Sequence, residues 1–195
     1  MTTGPAPIHY PSDKAIRELT HWMLDQHQGW DSPPMFFGLA ADTSGELAVD
    51  GGPLHNDETA ASSMDPVHYR AAQMKHSGIP LWGFGLLFEG YCEEFTPEET
   101  ASGEMRRIML EGRLPDRPTA EEMCNAVIYD ARGNEWVALT YRYLPERGIS
   151  ELFTPTTAIT KPPLGMSGYL WSAALLLDPA NRPRVLEMVA ATEDE

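Results

Sequence analysis

This sequence predicts an α+β fold, with an antiparallel sheet of four to five strands built from hairpins and covered by three to five helices. Three observations support this expectation. Apolar runs of strand length, at residues 35–41, 81–89 and 124–129, lie between clusters of turn-forming residues. Segments with helical periodicity are short and do not alternate regularly with the strands, as a doubly wound sheet would require. The 17 prolines and 16 glycines in 195 residues break the chain into many short elements joined by structured loops.

Residues 1–11 hold three prolines and no periodicity, and read as an extended arm. Ser12 is placed to cap a helix whose Ile16, Leu19, Met23 and Leu24 share one face, and Gly29 ends it. Trp30-Asp31-Ser32-Pro33-Pro34 forces an extended entry into the apolar run 35–41. Asp42-Thr43-Ser44-Gly45 is turn chemistry, and residues 46–50 return as a second strand. Residues 51–63 read as a polar loop. Asp65-Pro66 opens a helix that runs to about His76. Residues 81–89 form the most buried-looking strand, where Gly83 and Gly85 mark a bulge or a close backbone approach.

Thr96-Pro97-Glu98-Glu99 carries a helix cap, a proline at the first position and acids near the positive end of the dipole. That helix continues through Ile108 and is weakened at Gly103. Thr119-Ala120-Glu121-Glu122 is a second capping signal. Residues 124–129 and 135–143 are strands flanking the turn-rich link 130–134. In the second of them Trp136, Ala138 and Thr140 alternate with Val137, Leu139 and Tyr141, so one face is buried. Residues 145–163 read as irregular. An apolar helix over 168–177 and a last helix bearing Val185, Leu186 and Val189 complete the chain.

With 42% hydrophobic and 22% charged residues, the composition is that of a globular protein. The expected organisation is a single domain over 12–191, with the arm before it and an acidic tail over 192–195. Cys92 and Cys124 lack the spacing of a zinc site or a disulfide framework. The N-terminus has no basic and apolar signal regions, and no apolar run approaches the ~20 residues of a membrane span. These features lead to the expectation of a cytoplasmic protein that does not engage membranes.

The formal charge is −15, from 29 acids and 14 bases. Such a chain repels nucleic acid and anionic lipid. The acidity is densest over residues 89–122, which hold ten acids and four bases. Glu89, Glu93, Glu94, Glu98, Glu99 and Glu104 are therefore the candidate contacts for a basic protein partner. Trp30 and Trp82, at strand starts, are expected to be partly exposed and are the candidate anchors.

Catalytic and metal signals are weak. His21 and Asp25 stand one helical turn apart with His27 near the helix end, but two ligands are too few for zinc, which takes four donors or three plus water. His55 and His68, with Asp57 and Glu58, are the first residues to consider for an enzyme site assembled from distant segments. Cys92 is flanked by Glu93 and Glu94, which disfavour a thiolate. Gly165-Met166-Ser167-Gly168-Tyr169 lacks the final glycine of a nucleophile elbow. No cofactor is implied.

The segment Trp30-Asp31-Ser32-Pro33-Pro34-Met35-Phe36-Phe37, directly after an amphipathic helix, resembles the Trp-Asp-x-Pro-Pro-x-Leu-Phe opening of small uncharacterised actinobacterial proteins. The strand–turn–strand block at 125–142 is similar in layout to their second half. The resemblance covers about half the chain. It implies an actinobacterial or actinophage origin and a compact α+β fold, and it carries no activity.

The expected function is non-enzymatic binding through protein–protein contact, as in a phage-encoded inhibitor of a host factor or an immunity-type protein. The alternatives are a small enzyme using the histidines named above and a homodimeric structural or accessory protein.

Overall fold

Ser12 begins the first helix as its spacing predicts, its hydroxyl accepting a hydrogen bond from the Ala15 amide at 3.2 Å. The computed structural model describes residues 7–54, 66–76, 80–93, 95–159, 163 and 165–193. These residues contain helices α1 (Asp13–Asp25), α2 (Pro66–His76), α3 (Pro97–Ala101), α4 (Glu104–Leu110), α5 (Gly165–Leu175) and α6 (Arg182–Glu193). The strands are β1 (Met35–Ala41), β2 (Leu47–Pro53), β3 (Leu81–Cys92), β4 (Glu121–Asp130), β5 (Glu135–Tyr141) and β6 (Ser150–Thr154).

All six strands form one antiparallel sheet in the order β2-β1-β3-β4-β5-β6. Two tight hairpins, β1–β2 and β4–β5, are held by aspartates. Asp42 Oδ1 accepts from the Ser44 and Glu46 amides at 2.8 and 2.9 Å. Asp130 is fully buried and takes four donors, the amides and side chains of Arg132 and Asn134. This is the Asx chemistry that suits aspartate to turns.

The two faces of the sheet bury separate apolar clusters. Helix α1 lays Ile16, Leu19 and Met23 over Phe37, Leu87 and Ile128. Opposite, α2, α5 and α6 cover Phe36, Phe84, Leu86 and Val127, with Trp171 at the centre. The predicted arm contributes too, since Ile8 and Tyr10 pack against the α1-side cluster. No helix among the described residues is long and apolar enough to cross a membrane.

The α+β class holds, with more elements than expected. The sixth strand is β6, inside the stretch read as irregular. It is five residues long and, among the described residues, pairs on one side only, so it lacks the alternating apolar run of a half-buried strand. The single helix expected after Thr96 is two, because Gly103 adopts φ +76° and breaks the run. Thr119 does not cap a helix. Its hydroxyl donates to Glu93, and the chain enters β4 at Glu121.

Trp82 also corrects an expectation, being 0% exposed. Leu39 pairs with Gly83 while Ala40 pairs with Leu81, leaving Trp82 as the extra residue of a bulge. The bulge turns its ring into the α1-side cluster, so Trp82 offers nothing to a partner at the surface. Gly83 supplies the close approach that its glycine suggested. A Cβ there would lie 2.6 Å from the Tyr129 carbonyl oxygen.

Candidate functional site

The acidic residues singled out from the sequence are largely engaged within the molecule. Glu93 is buried against Arg117 and Thr119, and Glu99 pairs with the same arginine at 2.8 Å. Glu99 also closes the capping box of α3 by accepting from the Thr96 amide. Glu104 takes Arg107 one turn along α4. Arg117 and Thr119 hold the Glu93 carboxyl below its usual range, with Thr119 the larger influence. Glu98 is exposed, with no ion-pair partner among the described residues. Glu94, His55, Asp57 and Glu58 lie outside the described residues, and His68 falls on α2. The structure therefore describes no site around these histidines.

Glu89 has a different role. β3 carries it two residues past Leu87, the last of its residues paired with β1, where it meets the end of α1 and the loop that follows. Its carboxylate accepts from His27 Nε2 at 2.8 Å, from the Asp31 amide at 2.8 Å and from the Ser32 amide at 3.2 Å. His27 and Glu89 are nearly buried, their side chains 14% and 15% exposed. Burial alone would raise the Glu89 carboxyl, but these three donors outweigh it and hold the group below its ordinary range.

Trp30 sits between His27 and Arg142. Its ring meets His27 edge-on at 5.0 Å, and the Arg142 guanidinium lies 5.3 Å from its centroid. Arg142 binds both oxygens of Glu122 at 3.0 Å and reaches Asp31 at 3.4 Å. Asp31 adopts φ +69°, a left-handed conformation that aspartate tolerates better than most residues. Oxygens of Asp31, Glu89 and Glu122 approach within 4.8 Å of one another. The Arg142 guanidinium already supplies a counter-charge and His27 a hydrogen bond, so the cluster reads as a polar network that fixes the Trp-Asp-Ser-Pro-Pro loop.

Two recesses flank this network. The smaller, about 210 Å³, is bounded by Pro33, Met35, Pro53, Leu87 and Phe88 with His27 and Glu89 in its wall. The larger is a polar cleft of about 940 Å³, where Arg117 and Arg147 stand among Glu93, Glu99 and Glu121. Arg147 pairs with Glu121 at 2.7 Å and lies over the Tyr141 ring. Cys92 opens into this cleft with its thiol pushed up by burial and then by Glu121, which disfavours the nucleophilic thiolate.

The sheet ends in two unlike edges. β2 exposes Asp50, with exposed Glu46 just before the strand, and finishes in Gly51-Gly52-Pro53. Charge and proline of this kind blunt an edge against further pairing. β6 exposes large apolar side chains instead: Leu152 is 57% exposed and Phe153 47%, with Ile149 exposed just before the strand. Phe153 leans on Trp136 at 5.1 Å, and Glu151 is held by His21 and Arg17 of α1.

Sequence reasoning missed His27 as the partner of Glu89, Arg142 as the support of Trp30, and β6 as an exposed edge. No family model, curated protein or solved structure matches this chain.

Proposed function

We propose that this protein is a non-enzymatic binding protein acting through protein–protein contact, with β6 as its contact strand and a basic protein as its partner. The supporting observation is the asymmetry of the sheet edges, one blunted by charge and proline and the other presenting Leu152 and Phe153 to solvent. An extended segment of the partner, added alongside β6, would satisfy the backbone groups of the open edge. Its side chains would cover Leu152 on one face of the sheet and Phe153 on the other. Internal ion pairing leaves the net charge of −15 unchanged. That field speeds encounter with a basic partner and disfavours acidic competitors. Inhibition of a host factor or neutralisation of a toxin is the kind of role such a contact serves.

The test is affinity capture from cells that express the protein naturally, comparing the wild type with a Leu152→Glu, Phe153→Glu double variant. The wild type retains a basic protein that is released by added salt, and the double variant loses it. A partner held equally by both proteins contradicts the proposal. So does a wild-type homodimer that dissociates in the double variant, because the edge would then belong to a second copy.

A further inference from the structure

The recess beside His27 has the features of a small-molecule site. Its surface is mostly apolar, from Pro33 and Met35 of the loop and β1, Pro53 of β2, and Leu87 and Phe88 of β3, with Gln26, Gln28 and Ser32 also in the lining. At about 210 Å³ it exceeds the roughly 150 Å³ of an apolar cavity able to hold benzene. His27 and Glu89 are the ionisable groups in this wall. Both are held in place, because the Glu89 carboxylate is fixed by two backbone amides as well as by the imidazole.

The geometry also sets the hydrogen-bonding character of the wall. A carboxylate only accepts, so Nε2 of His27 carries the proton in the 2.8 Å bond to Glu89. In the neutral imidazole Nδ1 is then an acceptor, and it has no partner among the described residues. A nearly buried acceptor beside an apolar recess favours a guest with an apolar body and one O–H or N–H donor. We propose that this recess binds a small neutral aromatic molecule of the phenol or indole class, its donor placed on His27 Nδ1. The site shares no lining residue with β6.

The test is a titration of the ¹⁵N-labelled protein with phenol, indole and toluene, followed by amide chemical shifts. Phenol and indole should give saturable shifts confined to the amides of residues 26–32, 35 and 87–89. Phenol should bind about fivefold tighter than toluene, the factor expected of one neutral hydrogen bond. Met35→Trp, which fills the recess and leaves His27 and Glu89 untouched, should abolish binding of all three. His27→Phe should reduce phenol to the level of toluene in a protein whose thermal melt shows that it is folded. Absence of saturable shifts at millimolar ligand overturns the site, as does binding that survives Met35→Trp. Equal affinity for phenol and toluene in the wild type overturns the role of His27.

Discussion

Replacing Glu89 with alanine removes the anchor of the Trp-Asp-Ser-Pro-Pro loop, and its effect can be worked from three hydrogen bonds. The carboxylate accepts from His27 Nε2 and from the amides of Asp31 and Ser32. Bonds to a charged acceptor contribute about 1.5–3 kcal/mol each in buried settings. Asp31 is exposed and Ser32 only half-buried, so water replaces much of what those two amides lose. A discounted sum of about 2–3 kcal/mol follows. Urea denaturation followed by circular dichroism measures it, and an unchanged m-value would keep the effect local to the native loop.

The same carboxylate predicts a pH signature. Its folded pKa lies below the unfolded value of roughly 4.3. Between the two, the unfolded chain binds more protons, so stability rises with pH. The contribution is complete above the unfolded pKa and is lost as pH falls through the folded one. Other carboxyls are lowered as well, including Glu93 and Glu99, so the informative quantity is the difference between wild type and Glu89→Gln. That difference should be largest near neutrality and shrink below about pH 4. A Glu89→Ala variant as stable as wild type at pH 7, or a difference independent of pH, would refute the assignment of Glu89 as the loop anchor.

Two further outcomes follow from the packing of the sheet. Gly83→Ala should cost about 1–3 kcal/mol in a urea melt, because its Cβ would meet the Tyr129 carbonyl, which is backbone and cannot swing away. Gly85→Ala should cost less, since its nearest contact is the flexible end of Met23; equal costs would count against the close approach of Gly83 to the Tyr129 carbonyl. Cys124 should resist thiol reagents until the protein unfolds, its thiol pushed up to about 12 by burial and then by Glu89. Labelling of native Cys124 as fast as the half-buried Cys92 would show that this part of the core opens readily.

What the sequence makes legible is local. β5 announces itself by alternation, and β1, β3 and much of β4 by apolar runs that only a strand buried on both faces tolerates. β6 was hidden because its two apolar residues are adjacent and therefore point to opposite faces, which imitates a loop. Trp82 was misjudged because a bulge shifts the alternation by one residue, and no short-range signal places it. Glu89 read as one acid among many, since its partners lie 57 to 62 residues earlier. They reach it only through the register that sets Met35 against Leu87. The charge density over residues 89–122 was plain in the sequence. Its internal pairing with Arg107, Arg113, Arg117, Arg142 and Arg147 depends on the fold.

The role of β6 is tested most directly by hydrogen–deuterium exchange of the protein alone and with its captured partner. Slowed exchange in Ser150–Thr154 on binding, with α3 and α4 unchanged, is the predicted result. Protection that appears over α3 and α4 while β6 exchanges as in the free protein would contradict it, and would return the contact to the acidic connector.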